Sequence, residues 1–432
     1  MPSNPPDQTK QLDVWERAQA ELKGEEDFCR RLGRQVGHAF TQWLNQRLPF
    51  LGTAWRHMRD YPMPAVNWWW TLGACLMMLV GLMVVSGLFL AANYNPALVG
   101  AFSSVQDVNR HVPWGWLVRN SHAAGASLLF ALLYLHMLRG LFYGSYRAPR
   151  ELVWWSGLVM MLAFMLTAFA GYVLPWGQMS YWGAEVITSA VRSLPGVGQV
   201  LAGWLLGHDN APNGLGAVAL RRFYLLHVVM GFVLCGLTMV HVVALHGVGS
   251  SNPTLEGRHP DLRKEPFWPR YALRDLLACT VTVACGVVLA CLLPMLVYKS
   301  ENLLPANALK TPEHIAPEWY LAPWFAMLRA IPSELGGLTV AAGSILVLFA
   351  LPFLDGSCPT TPTRLVRRLG WGAFAVAFLV LAVAGEQVPS ALGLALSRVA
   401  LVVWFAVPCL VVPLCAWLDK RCDAGQQTPK LC

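Results

Sequence analysis

An all-α integral membrane protein with eight transmembrane helices is the fold this sequence predicts: an N-terminal four-helix bundle, then a second group of helices. Three observations predict it. Of 432 residues, 56% are hydrophobic and 13% charged, about half the charge of a soluble domain. Apolar runs recur at residues 68–92, 123–143, 153–175, 223–245, 272–298, 337–354, 370–384 and 393–417, most of them long enough to cross a bilayer's hydrocarbon core. Basic residues concentrate in alternate connections.

Residues 1–36 are polar and mixed in charge (KGEEDFCRRLGR), with no signal-peptide or transit pattern, and read as a partly helical extension. Residues 37–60 alternate apolar and basic positions at helical spacing, which suits a helix lying on the membrane surface. With the first four spans they define a domain at 37–265. The remaining spans define a second at 266–420, and 421–432 is a polar tail. Connections 142–152, 247–271 and 355–369 hold two, four and three Lys/Arg, whereas 93–115, 174–221 and 298–335, together about twice as long, hold one, two and three. The short basic face is therefore expected in the cytoplasm, with both termini, in a bacterial inner membrane. The net charge of +8 follows from that asymmetry and calls for no nucleic acid. Long loops in a compact protein are usually functional or disordered; the Trp, Pro and aliphatic content of 174–221 and 298–335 favours function.

Four histidines carry the chemistry. His122 and His136 lie 14 residues apart in span two, His227 and His241 14 apart in span four. Fourteen residues is almost four turns, so each pair shares a helix face with about 21 Å between its members. Two such helices side by side would offer imidazoles at two depths, enough to grip two stacked haems from both faces. The alternative for any single histidine is a hydrogen bond to a neighbouring helix, since intramembrane histidines usually face the bundle interior. Gly73 and Gly87 in span one, and Gly157 and Gly171 in span three, repeat the same interval; glycine admits a flat ring close to the backbone. Arg119 and Arg139 lie three residues from a histidine on the ligand face, and Arg222 lies five before His227. All three suit haem propionates, or else snorkel to the interface. Ser145 could cap a propionate. None of the 11 cysteines forms C-x-x-C-H, so both haems would be non-covalent b-type.

With these residues in view the chain resembles the cytochrome b family of respiratory and photosynthetic bc complexes. The resemblance rests on RNSHAAGAS…LHMLRGLFYGSY, GYVLPWGQMSYWGAEVIT, RRFYLLHVV…MVHVVALHGVGSSNP and PEWY at 317–320, and runs from about residue 40 to 418. The interval in span four matches the respiratory type. The resemblance implies that His122 and His227 ligate a low-potential haem near the periplasm, and His136 and His241 a high-potential haem near the cytoplasm. It further implies ubiquinone or a similar quinone, a Rieske iron–sulfur subunit, a membrane-anchored c-type cytochrome, lipid contacts and a homodimeric complex.

Glu318, among Trp319, Tyr320 and aliphatics, would be desolvated and its pKa raised, which suits a proton acceptor for hydroquinone; an interfacial acid in an aromatic belt is the alternative. The resemblance adds Pro317, Tyr320, Tyr172, Phe169 and Gly183 as pocket residues, a side chain at Gly183 being expected to narrow the pocket. At the other face His246 and Asp275 could donate protons to a bound quinone. The resemblance places them with Ser250 in a quinone-reducing site, although Arg274 stands where the family often has Lys and Ala278 where it often has Gly. Two rival readings are a dihaem anchor for a quinone-linked dehydrogenase, which leaves PEWY and four spans unexplained, and a proton-coupled transporter, which predicts no haem absorption.

Overall fold

The computed structural model describes residues 49–64, 66–207, 215–251, 265–355 and 361–424, with scattered positions between 23 and 47. Among these, eight helices are long and apolar enough to cross a membrane: Trp68–Asn93, Gly115–Tyr143, Glu151–Val173, Ala217–Val248, Arg270–Leu292, Glu334–Leu354, Pro362–Glu386 and Ala391–Cys422. They correspond one to one with the eight apolar runs. Several run longer than their apolar stretch, because a helix continues into the interface while its ends remain capped or solvated. Span five is shorter than its run, giving way after Leu292 to a 3₁₀ turn at Pro294–Leu296. Most of the N-terminal extension and residues 425–432 of the tail lie outside the described residues.

The chain divides into two compact units. The smaller comprises residues 1–62 and 266–271 and holds the helix Pro49–Asp60, part of the expected surface helix. There the Phe267 and Trp268 N–H groups donate to the Tyr61 and Arg59 carbonyls. The larger holds residues 63–265 and 272–432, and so the membrane bundle. Spans one and two pack together, as do spans three and four. Both four-span halves contribute to one core, for example through Leu158, Trp154, Leu348 and Trp371.

The halves are joined at the basic end. Trp154 and Trp155 in span three donate their indole N–H groups to the carbonyls of Leu348 and Phe349 in span six, at 2.8 and 2.9 Å. Asp355, fully buried, accepts from Tyr146 at 2.7 Å and pairs with Arg147 and Arg367 at 2.7 and 3.0 Å. Arg367 also binds buried Asp419 at 2.7 Å. Two cations and two anions make this cluster neutral, as a buried ionic group must be if it is not to cost several kcal/mol (about 3–5 when one partner is removed).

At the other end two loops lock together. The Leu174–Gly177 turn places Trp176 at φ 51°, and a Cβ on Gly177 would meet the Asn302 side chain and backbone at 2.7–2.8 Å, so only glycine lets the strands approach. Gln178 N–H donates to the Leu304 carbonyl and Ala306 N–H to the Trp176 carbonyl, both at 3.0 Å. Asn302 accepts from the Ser180 N–H at 2.7 Å. The PEWY-containing loop is thereby held over spans two and three.

Candidate functional site: two histidine pairs and an adjoining cavity

The histidines meet as the spacing predicts. Ring centroids of His122 and His227 are 6.1 Å apart, those of His136 and His241 6.5 Å. Two imidazoles bound to one ion through bonds of about 2 Å would stand with their centroids roughly 6 Å apart. Among the described residues no group of three or more His, Cys, Asp or Glu could hold a metal ion. A pair of imidazoles cannot satisfy a bare four-coordinate ion. It does suit an iron already held in its plane by a macrocycle.

The second nitrogen of each ring shows which tautomer is favoured. His227 Nδ1 lies 2.8 Å from the Thr167 carbonyl, which can only accept, so Nδ1 carries the hydrogen and Nε2 is bare. Ser86 Oγ is 2.9 Å from His122 Nδ1 and 2.7 Å from the Leu82 carbonyl. Its one hydrogen goes to the carbonyl, so it accepts from Nδ1–H. Ser156 does the same between His241 Nδ1 at 2.9 Å and the Val153 carbonyl at 3.0 Å. Metal-ligating histidines typically donate their other N–H to such a partner. His136 differs: Arg139 Nη2 approaches its Nδ1 at 3.4 Å, and a guanidinium only donates. The ligating tautomer there requires Arg139 to find another acceptor, and a propionate carboxylate would serve. Arg139 Nε and Arg222 Nη1 are both buried without a hydrogen-bond partner, which fits the same role.

Each spaced glycine faces one histidine. A Cβ would lie 3.6 Å from His136 at Gly73, 3.2 Å from His122 at Gly87 and 3.4 Å from His241 at Gly157, and would collide with His227 at Gly171. The glycines therefore clear the imidazoles themselves, a tighter demand than room for a porphyrin edge. Ser86 and Ser156 were missed from sequence, yet each immediately precedes a spaced glycine, a repeat that could have been noticed.

Beside the first pair lies a cavity of about 290 Å³, near the lower end of ligand-sized pockets. It runs from His122, His227 and Gly171 to Tyr172, Glu318 and Tyr320, and Arg119, Tyr298 and Asn302 also line it. Span two docks the PEWY segment on one face: Tyr320 stacks on Phe130 at 4.2 Å, its carbonyl accepts from the Tyr134 hydroxyl at 2.5 Å, and Trp319 reaches Ser127 at 3.4 Å. Pro317 leads into this segment half-buried. Glu318 is 7% exposed. Burial pushes its carboxyl up to about 7, while Lys299 and the Tyr172 hydroxyl pull it back and Glu386 adds to the rise. The Tyr172 side chain lines the cavity beside Glu318 with its hydroxyl buried. Burial also raises Tyr298 and Tyr320 above the usual phenol range.

Of the other sequence-predicted residues, Arg119 lines the cavity and the rest make contacts elsewhere. Phe169 packs edge-to-face on Phe223 at 5.5 Å. A Cβ on Gly183 would touch the Tyr172 ring at 4.0 Å, an ordinary contact, so a methyl fits there and only a larger side chain would press on Tyr172. Arg119 stacks on Tyr298 at 4.7 Å, and Arg222 lies over Trp204 at 5.9 Å. Ser145 bonds the Ser251 hydroxyl at 2.9 Å.

His246, Ser250 and Asp275 do not line the cavity. His246 is exposed at the end of span four, with Nδ1 2.9 Å from the Val242 carbonyl. Ser250 Oγ lies 3.8 Å from Met63 Sδ. Asp275 is half-buried in the first turns of span five, beside Arg274, whose guanidinium bonds the Val66 carbonyl and covers Trp68.

Comparison with known proteins bears on both halves. The family profile described as cytochrome b/b6/petB matches residues 58–249, and cytochrome b(C-terminal)/b6/petD matches residues 305–405. Cytochrome b of Rickettsia conorii is 40% identical over 387 residues, covering 89% of this chain and 96% of the relative. That of Allochromatium vinosum is 41% identical over 404 residues, covering 88% and 95%. A cytochrome b/c1 of Bradyrhizobium diazoefficiens is 39% identical over 394 residues, covering 89% of this chain and 56% of the relative. Among solved structures, a chain of a hyperthermophilic respiratory complex III superposes with TM-score 0.80 at 29% identity, over 88% of this chain and 99% of that one.

Proposed function

Because the chain belongs to the cytochrome b family, the haem-binding membrane subunit of quinol–cytochrome c reductase, we propose that it oxidises quinol in the cavity at Glu318 and reduces quinone at the opposite membrane face. His122 with His227, and His136 with His241, would hold two b-type haems, with Arg119, Arg139, Arg222 and Ser145 toward their propionates. Haem at each level would supply reversible one-electron chemistry between the quinol-oxidising and quinone-reducing ends, and an iron–sulfur partner would take the second electron of each quinol.

The observation that carries the reading is Glu318 buried at the end of a cavity shared with one histidine pair. A carboxyl held near neutrality there is a base matched to working pH. Tyr172, lining the cavity beside Glu318, would hold a quinol oxygen. The aromatic stack of Phe130 and Tyr320 limits water at the reacting end. At the other face, His246 and Asp275 would donate protons to quinone with Ser250 beside them. On the distribution of basic residues, quinol oxidation faces the periplasm of a bacterial inner membrane, and both termini face the cytoplasm. A Rieske subunit, a membrane-anchored c-type cytochrome, lipid, ubiquinone and a second copy of the complex complete the assembly. A dihaem anchor or a transporter would leave the docked PEWY segment without a role.

The test is Glu318→Gln in the assembled complex. Quinol oxidation should slow by about 100-fold, the lower end of a general base's contribution, with both haem spectra unchanged. Unaltered turnover would remove Glu318 from proton acceptance.

A further inference from the structure

Next to Tyr298, which lines the cavity, stands an ion pair that the reading above does not use. Lys299 Nζ meets Glu386 Oε2, with side chains 22% and 29% exposed. Both members are fixed. Tyr298 and Asn302, on either side of Lys299, line the cavity with Glu318. His314 donates from Nε2 to the Glu386 carbonyl at 2.9 Å. Arg329 binds the carbonyls of Ala384 and Gln387, flanking Glu386. Glu386 Oε1 is buried without a hydrogen-bond partner. The pair is thus built into the end of span seven and the loop leading to PEWY, next to residues that line the cavity with Glu318.

We infer that the Lys299–Glu386 pair is a positioning device for quinol oxidation, setting the electrostatic field in which Glu318 takes a proton. The inference rests on Glu318 being the proton acceptor. Its physics is that of a dipole. The Lys299 ammonium favours the ionised carboxylate, the Glu386 carboxylate disfavours it, and the lysine has the stronger effect. An opposite charge near a carboxyl lowers its pKa, and a like charge raises it. The other groups facing Glu318 are Tyr172 from span three, Tyr298 from the loop and Tyr320 beside it, with Arg119 beyond Tyr298. Phenols are neutral at working pH, which leaves the ion pair and Arg119 as the charged groups on this side, with His314, held on the Glu386 carbonyl, as a further titratable one.

The experiment compares pH–rate profiles of quinol oxidation in the assembled complex for the native chain, Lys299→Met, Glu386→Gln, the double variant, Lys299→Arg and Glu318→Gln. A parallel infrared titration follows the protonated-carboxyl band that Glu318→Gln removes, which needs no turnover. Oxidation requires the ionised carboxylate, so its acid limb follows the Glu318 pKa. Lys299→Met should move limb and band to higher pH by roughly one unit, the low end for losing a neighbouring opposite charge. Glu386→Gln should move both to lower pH. The double variant should fall slightly above the native chain, and Lys299→Arg should coincide with it. Shifts of the same sign in both single variants, or none in the band, would overturn the inference. An acid limb that survives Glu318→Gln overturns the underlying reading instead, and the band titration still decides the role of the pair.

Discussion

At one end of the four-span bundle, His122 and His227 face each other beside a cavity that reaches buried Glu318. At the other end, His136 and His241 keep nearly the same separation, but the residues expected to serve a quinone there sit on helix ends with contacts of their own. The histidine pairs are alike because helical register alone makes them. The substrate ends differ because one is roofed by an interlocked pair of loops, pinned through Gly177, Asn302 and Gln178. A further contrast lies in the hydrogen bonds: three rings donate Nδ1–H to a fixed acceptor, whereas His136 meets a guanidinium.

If the two levels are separate sites, they should be lost separately. His136→Leu is expected to leave one haem per chain of two, measured by pyridine haemochrome, with membrane insertion unchanged and the spectrum of the remaining haem intact. Loss of both haems, or of neither, would break the comparison. A sharper contrast uses the glycines. Gly171→Ala drives a methyl into His227, whose Nδ1 is tied to the Thr167 carbonyl, so the ring cannot simply swing aside. Gly73→Ala meets His136 at 3.6 Å, an ordinary contact. The first substitution should remove most of one haem from the purified complex, and the second should leave both in place. Equal haem content in the two variants would mean that the glycines do not set ring clearance.

The eight spans and the meeting of both histidine pairs were legible because helical geometry encodes them. Apolar length gives the helix, and a 14-residue interval gives a shared face at two depths. The loops carry no period. Glu318 could be read from its aromatic neighbours, but its segment is docked through Tyr320 on Phe130 and Tyr134 in span two, nearly 190 residues away. Lys299 and Glu386 lie 87 residues apart and read separately as an ordinary loop lysine and a helix-end acid. Only the fold brings them together. The clearance at Gly183, 4.0 Å to the Tyr172 ring, likewise depends on how the helix Gln178–Arg192 sits, which no local pattern states.

The smallest expected effect concerns the acceptors behind the rings. Ser86→Ala removes the group that takes Nδ1–H from His122, and Ser156→Ala does the same for His241. Each ring then loses its orienting partner and some basicity at Nε2, and haem retention should weaken by roughly 10–100-fold, as for other ligand-supporting hydrogen bonds. Thr167→Ala should do nothing of the kind, because His227 donates to the backbone carbonyl, and the Thr167 hydroxyl is occupied with the Ala163 carbonyl at 2.7 Å. Haem release into excess apomyoglobin separates the cases. Faster release from both serine variants and native release from Thr167→Ala would tie the effect to the ring hydrogen bond rather than to the loss of a small polar side chain from a span. Equal release from all three would mean that the glycine clearance and the iron bonds alone hold the rings in place.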